Sequence, residues 1–95
     1  MAEAPASLRL DKFLWFARIV KTRALAQGLA EQGRLRLNGR VIDKAHTIVR
    51  PGDVLGFAQH GEVRVLKIET IPARRGPPAE ARALYSELTS EAGQA

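Results

Sequence analysis

The sequence predicts an α+β domain with the element order α-α-β-β-β-β-α. Three observations predict this class: apolar residues at helical spacing near the N-terminus, an Asn-Gly pair between two short alternating segments, and turn signals before later apolar runs. With 95 residues, of which 45% are hydrophobic and 26% charged, the chain has the size and composition of one globular domain.

The first predicted helix begins at Ser7 or Asp11, whose side chains suit an N-cap, and ends near Val20. Its apolar residues cover more than one side of the helix, so we expect it to be packed against more than one neighbour. Trp15 and Phe16 belong to this apolar set. Both are expected in the core, with stacking on nucleic acid bases as the alternative role.

The second predicted helix begins after Thr22, whose hydroxyl group suits an N-cap, and ends near Gln32. Gly33 then occupies the position at which glycine commonly ends a helix. Leu25 and Leu29 lie one turn apart, and both are expected on the buried side.

A β-hairpin is predicted over residues 34–42, because the Asn-Gly pair at 38–39 is the strongest short signal for a hairpin turn. Arginine and leucine alternate along the first strand. Since alternate side chains of a strand point to opposite faces, Arg34 and Arg36 are expected to share one surface.

Further strands are predicted at residues 48–49, 54–57 and 63–71, separated by the turn signals Pro-Gly-Asp at 51–53 and His-Gly at 60–61. Within the last strand the apolar alternation changes parity after Val65, which predicts a bulge or a sheet edge.

The C-terminal part contains a basic connector rich in proline and glycine at residues 72–78. Pro78 suits the first turn of a final helix. Apolar residues then recur at helical spacing, at Ala81, Leu84, Tyr85 and Leu88.

The sequence lacks the residue patterns of an enzyme, a metal site or a membrane protein. Without cysteine it has neither disulfides nor thiolate ligands. His46, His60, Asp43 and Asp53 lie in predicted turns, and no phosphate-binding glycine motif follows a strand. No secretory signal is recognisable, and no apolar run approaches the roughly 20 residues that span a bilayer. We therefore expect a monomeric cytoplasmic protein with no catalytic residue, metal, cofactor or membrane partner.

Positive charge is concentrated in the first half of the chain. The formal net charge is +5, and residues 9–44 carry nine basic against three acidic side chains. Residues 45–73 and residues 74–95 each carry three of both signs. This distribution favours a polyanionic partner, and it favours nucleic acid over a membrane because no basic amphipathic helix or lipidation signal accompanies it.

The start of the second helix is the predicted centre of the nucleic acid site. Lys21, Thr22 and Arg23 lie where unpaired backbone N–H groups already favour an anion. Gln27 follows one turn later on the same face, Arg23 is expected to be exposed, and the hairpin arginines are expected to extend the same patch. The residues predicted to contact nucleic acid are Arg9, Lys12, Arg18, Lys21, Thr22, Arg23, Gln27, Arg34, Arg36, Asn38, Arg40 and Lys44.

Four motifs resemble those of the S4 RNA-binding domain: RLDKFLW at 9–15, KTRALA at 21–26, GRLRLNGR at 33–40 and PGD at 51–53. The resemblance covers about residues 8–57. It implies two N-terminal helices packed on a small, mostly antiparallel sheet, followed here by a C-terminal helix, and an RNA-binding surface formed by the helices and the hairpin. The expected organisation is a flexible lead-in at 1–7, an S4-type domain at 8–71, and a connector with a helix at 72–95.

The run WFARIVKTR at 15–23 and the tail RRGPPAEARALYSEL at 74–88 resemble the bacterial heat shock protein 15 family. This resemblance implies a ribosome-associated stress protein that binds the RNA of a large subunit carrying a blocked nascent chain and helps to recycle it. Transfer RNA is a further candidate ligand, and DNA is another because phosphate contacts carry little information about the sugar. Two other functions remain open: a protein-interaction module for an acidic partner, and a targeting domain that serves an RNA-modifying enzyme in trans.

Overall fold

The computed structural model describes residues 6–59 and 61–88. In chain order its elements are β1 (Leu8–Arg9), α1 (Leu10–Phe16), α2 (Arg23–Glu31), β2 (Leu35–Leu37), β3 (Arg40–Ile42), β4 (Ile48–Val49), β5 (Val54–Gln59), β6 (Glu62–Ile68), α3 (Pro78–Arg82) and β7 (Tyr85–Glu87). Five strands form an antiparallel sheet in the order β3-β2-β5-β6-β7, and β1 pairs with β4 separately. The predicted α+β class is confirmed.

Helix α1 is shorter than the sequence predicts. It ends at Phe16, and the N–H groups of Ile19 and Val20 turn back to the carbonyl oxygen of Leu14. Arg18 takes a left-handed φ of 60° at this reversal. The predicted end near residue 20 is wrong because a turn buries Ile19 and Val20 as well as a longer helix would, and apolar spacing does not distinguish the two.

Helix α2 begins and ends where the sequence predicts. The Thr22 hydroxyl oxygen accepts a hydrogen bond from the Leu25 N–H at 3.2 Å, and Gly33 follows the helix with a left-handed φ of 72°. The buried positions are Ala26 and Ala30, whereas Leu25 is 53% exposed, so its predicted burial is wrong. Two alanines one turn apart allow close approach of a neighbouring helix, which a leucine would prevent.

The predicted hairpin and the turn at residues 51–53 are confirmed. Asn38 and Gly39 have φ values of 53° and 87°, as a type I′ hairpin turn requires, and Gly52 has a φ of 94°. The Pro-Gly-Asp turn is closed by hydrogen bonds from the Gly52 N–H to the Ile68 carbonyl and from the Asp53 N–H to the Arg50 carbonyl. The other predicted turn includes His60, which lies outside the described residues.

Strand β6 contains no bulge. Its register with β5 runs without interruption from the Val54–Lys67 pair to the Gln59–Glu62 pair, and between β5 and β7 it is an interior strand. The apolar parity changes because the strand carries apolar residues on both faces, although only those on the inner face are buried. Leu66 and Ile68 face the core, whereas Val63 and Val65 are on the opposite face.

The C-terminal helix is present but short. Helix α3 ends at Arg82, and residues 85–87 add a strand to the sheet beside β6. The helical prediction beyond Arg82 is wrong because the free edge of β6 offers backbone hydrogen bonds, while Ala81 and Leu84 are buried without a longer helix. Residues 89–95, the end of the predicted C-terminal segment, lie outside the described residues.

The core lies between the two N-terminal helices and one face of the large sheet, which we call the inner face. It includes Leu10, Phe13, Leu14, Ala26, Ala30, Leu35, Leu55, Phe57, Leu66 and Ile68. The opposite face, which we call the outer face, carries Arg36, Val41, Gly56 and Val65 in cross-strand register, and none of these four residues is buried. No helix in the described part of the chain is long and apolar enough to cross a membrane.

Candidate nucleic-acid interface

A buried carboxylate joins the first turn of α1 to the first turns of α2. The Asp11 side chain accepts two hydrogen bonds from Arg9, at 3.1 Å from Nε and 3.0 Å from Nη2. Its Oδ2 atom also accepts from Arg23 Nε and from Gln27 Nε2, each at 3.1 Å, and Oδ1 accepts from the Lys12 backbone N–H at 2.8 Å. We call Arg9, Asp11, Arg23 and Gln27 the Asp11 cluster.

The surroundings of Asp11 keep its carboxyl group ionised. Burial by itself would raise the pKa, but hydrogen bonds from Gln27, Arg23 and Arg9, together with the charge of Arg23, outweigh it and hold the pKa of Asp11 below its ordinary value. Because one carboxylate faces two guanidinium groups, the Asp11 cluster has a net positive charge. The Arg9 and Arg23 side chains remain 41% and 35% exposed, so their remaining N–H groups are accessible to a phosphate.

The bridging role of Asp11 between Arg9, Arg23 and Gln27 is not predicted from the sequence. Neither Ser7 nor Asp11 caps α1, because the N-cap residue is Arg9 and it makes no side-chain cap bond. One feature of the sequence does indicate it: Asp11 lies between the apolar Leu10 and Phe13, and a carboxylate buried there must be paired with a cation or hydrogen-bonded. The expectation that Arg23 is exposed is also wrong in part, because Asp11 holds it half-buried.

The N-terminal end of α2 lies beside the Asp11 cluster. Lys21 and Thr22 are exposed and immediately precede Arg23, the first residue of the helix. The unpaired N–H groups of this first turn add a partial positive charge. Lys21 takes part in no ion pair or side-chain hydrogen bond within residues 6–59 and 61–88. Cations, a hydroxyl group and a helix N-terminus therefore meet at one end of the helix pair.

The loop at residues 43–47 brings a further cation to the same end. The Leu10 N–H donates to the Thr47 carbonyl at 2.7 Å, and the Asp11 N–H donates to the Ala45 carbonyl at 3.2 Å. Lys44 is exposed beside these contacts, and Lys12 is partly exposed in the first turn of α1. These residues occupy the neighbourhood that the sequence predicts, and their contact with RNA stays a prediction.

Arg36 lies on a different surface from the Asp11 cluster, and Arg34 lies where that surface meets α2. Arg36 lies opposite Val41 and Gly56 in the sheet register, on the outer face. Arg34 and Arg36 border the same hollow over that face. Because both helices pack on the inner face, the sheet separates Arg36 from the Asp11 cluster, whereas Arg34 also borders a hollow along α2.

The hairpin turn uses Asn38 for its own structure. The Asn38 side chain donates from Nδ2 to Asp53 at 3.1 Å and accepts from the Val54 N–H at 2.9 Å, which ties the hairpin to β5. Arg40 follows the turn and is exposed. Of the two predicted contact residues at this turn, only Arg40 therefore has its side chain available to a ligand without breaking hydrogen bonds of the fold.

Arg18 lies at the opposite end of α1, against the basic connector. Its Nε atom donates to the Gly76 carbonyl at 2.7 Å, and Arg75 donates from Nε to the Trp15 carbonyl at 3.1 Å. Trp15 packs against the core, as the sequence predicts, but its side chain is only partly buried. Phe16 is partly exposed and lies outside the core cluster, so its expected burial is wrong.

Comparisons with known proteins give one consistent family. A family model described as the S4 domain matches residues 8–55. Over 92% of its own length, the chain is 41% identical to heat shock protein 15 of Escherichia coli K12. It is 34% identical to the RQC P-site tRNA stabilizing factor of Listeria innocua, and the match covers 90% of each chain. A solved structure described as trimeric heat shock protein 15 of Vibrio cholerae has a TM-score of 0.82 at 36% identity, covering 88% of this chain and 84% of that one.

Residues 8–55, which include both N-terminal helices and the first strands of the antiparallel sheet, form an S4 domain. Within that class, the chain belongs to the heat shock protein 15 family. It spans 65% of the length of the Escherichia coli relative.

Proposed function

We propose that this chain binds structured RNA without catalysing a reaction, through the Asp11 cluster and the adjoining start of α2. The observation that carries the proposal is the pair of guanidinium groups that Asp11 holds beside Lys21 and a helix N-terminus. Oriented guanidinium groups and free backbone N–H groups suit the oxygens of a phosphate. The S4 domain match supports RNA over DNA as the ligand.

The proposed ligand is ribosomal RNA of the large subunit, and the proposed process is the rescue of subunits that carry a blocked nascent chain on a tRNA. Relatives named as a heat shock protein and as a factor that stabilises P-site tRNA support this choice. The chain would then act in the cytoplasm, on a ligand that presents both ribosomal RNA and tRNA. In this proposal the chain binds the blocked large subunit, and formation of that complex allows the subunit to be recycled.

Sedimentation with purified ribosomal particles tests this proposal. We expect the protein to comigrate with large subunits that carry peptidyl-tRNA, more than with empty large subunits and far more than with small subunits. Lys21→Glu should reduce comigration without changing the circular dichroism spectrum, because Lys21 is exposed. A protein that stays at the top of every gradient, at low salt as well, would rule out the ribosomal ligand.

Self-association is a second candidate function, favoured by the outer face of the sheet. Val63 is 67% exposed, and Gly56, Ala58, Val63 and Val65 line a shallow hollow of about 310 Å³ on this face. Exposed apolar patches of this kind commonly mark protein contacts. The relative from Vibrio cholerae is described as a trimer, which argues against the monomer expected from the sequence. The proposed occupant of the outer face is therefore a second copy of the chain.

Sedimentation velocity over a range of concentrations tests the second candidate. The sedimentation coefficient of the wild type should rise with concentration, whereas Val63→Glu should remain monomeric because a carboxylate would have to be desolvated in the contact. Leu25→Glu is the matched control, since Leu25 is an exposed apolar residue on α2. A wild type that stays monomeric at its highest soluble concentration would exclude self-association.

A further inference from the structure

The C-terminal end of α1 presents two aromatic side chains to solvent. Trp15 and Phe16 are both partly exposed, with ring centroids 5.6 Å apart and planes inclined by 43°. Lys12, Trp15 and Phe16 occupy positions i, i+3 and i+4, so they share one face of the helix. This face begins beside the Asp11 cluster and runs along α1 to the point where the chain reverses at Arg18.

The basic connector is held against these rings. The Arg75 guanidinium lies over Trp15, with its central carbon 5.9 Å from the ring centroid, and its Nε atom donates to the Trp15 carbonyl. Arg18 donates to the Gly76 carbonyl from the other side of the reversal. Two hydrogen bonds and a cation–π contact therefore order the connector at this position.

Arg18 and Arg75 lie beside the rings, and neither forms an ion pair within residues 6–59 and 61–88. Among the described residues, the only ion pair of the connector joins Arg74 to Glu80 at 3.5 Å. Both side chains are mostly exposed, and exposed pairs of this kind contribute little. Arg18 and Arg75 use one N–H group each in the hydrogen bonds described above, so their terminal nitrogens remain open to an anion.

Planar rings beside unneutralised arginines match the chemistry of a nucleotide. Aromatic side chains stack on bases, and arginine binds the adjoining phosphates. Bases inside a duplex are already stacked on each other, so only an unpaired base offers a free face to the Phe16 ring. A purely structural role explains Trp15, which rests against the core, but it does not explain Phe16, which lies outside the core cluster.

We propose that Phe16, Trp15 and Arg18 form a second RNA contact that takes one unpaired nucleotide, with its base against the Phe16 ring beside Trp15 and its phosphate at Arg18. The inference rests on the proposed RNA binding and extends it along the exposed face of α1. Arg75 is a positioning residue in this contact, because it holds the indole ring and the connector together.

Trp15 is the only tryptophan in the chain, so its fluorescence reports this contact directly. The probes are two RNA hairpins of the same stem sequence, one fully paired and one with a single bulged adenosine. We expect the wild type to bind the bulged hairpin roughly tenfold more tightly, as one stacked base would provide. Trp15 emission should be quenched by the bulged hairpin and little changed by the paired one.

Three variants separate base stacking from folding. Phe16→Leu keeps an apolar side chain and Phe16→Ala removes it, and both should lose the preference for the bulge while they bind the paired hairpin as the wild type does. Leu88→Ala truncates an exposed apolar residue that follows β7 and should keep the preference. Thermal melts followed by circular dichroism identify any variant that is not folded, and Phe16→Leu carries the test if Phe16→Ala fails there.

The outcomes distinguish the two proposals. Equal wild-type affinities for the two hairpins, with unchanged Trp15 emission, would overturn the second contact and leave the proposed function standing. A preference for the bulge that survives in Phe16→Leu would also overturn it. Failure of the wild type to bind either hairpin at low salt would instead count against the proposed function itself.

Discussion

Arg23, the first residue of α2, donates from Nε to Oδ2 of the buried Asp11 in α1 at 3.1 Å. The contact joins the two helices and sets the direction of the guanidinium group, while about a third of the Arg23 side chain stays exposed. Asp11 removes one unit of positive charge from the surface. In return it orients two arginines that would otherwise sample many rotamers, and oriented donors bind a phosphate with less loss of entropy.

Asp11→Asn tests whether orientation matters more than net charge. The substitution raises the net charge by one but weakens the hydrogen bonds of Arg9 and Arg23. We expect the free energy of unfolding in urea to fall by about 2 kcal/mol, the range of a hydrogen bond to a charged group. RNA affinity at fixed salt should fall severalfold. Fluorescence anisotropy with a labelled RNA hairpin measures it.

Glu31→Gln is the control for charge alone. It makes the same change in net charge at an exposed residue of α2 that has no ion pair in the described part of the chain. Its RNA affinity should be equal to or slightly higher than that of the wild type. If Asp11→Asn binds RNA more tightly than the wild type, the positioning role of Asp11 is wrong.

Acid should weaken the fold through Asp11. Its pKa is lower in the folded state than in the unfolded chain, so its ionisation stabilises the fold fully above the unfolded-state pKa of about 3.9. That contribution is lost as the pH falls from there through the folded-state pKa. We therefore expect the gap between the urea midpoints of the wild type and Asp11→Asn to narrow below about pH 4. A gap of constant size from neutral pH to the acid limit would contradict this prediction.

Salt dependence of RNA binding should separate the two basic surfaces. Lys21→Ala should reduce the slope of log affinity against log salt by about one, as expected for the loss of one phosphate contact. Arg36→Ala should change the slope less, because Arg36 lies on the outer face. Lys67→Ala, an exposed cation on the same face in register with Val54, serves as the control. If Lys21→Ala and Arg36→Ala reduce the salt slope equally, the RNA contacts both surfaces.

Asn38 should matter for stability more than for RNA contact. Asn38→Ala removes two side-chain hydrogen bonds and places alanine, which rarely adopts a left-handed conformation, at a φ of 53°. We therefore expect the free energy of unfolding to fall by about 2 kcal/mol. Asn38→Gly removes the same bonds but tolerates the positive φ, and it should lose less. Both variants should keep the salt slope of RNA binding. A reduced slope in folded Asn38→Gly would show that the side chain contacts RNA.

Features that depend on a few neighbouring residues agree with the sequence-based prediction. The Thr22 cap, the end of α2 at Gly33 and the Asn38-Gly39 turn all follow from hydrogen bonds and φ values within four residues. The end of α1 and the strand β7 do not agree, because both depend on contacts with distant segments: burial of Ile19 and Val20 in one case, the open edge of β6 in the other.

The sequence by itself determined the α+β class, the capped second helix, the hairpin and the concentration of cations in the first half of the chain. Only the tertiary structure decided which of those cations act together. It brought Arg23 and Gln27 to Asp11 across a helix junction, and it placed Arg36 on the outer face of the sheet. Charge and turn chemistry are local properties, whereas the partner of a side chain depends on how separate elements pack.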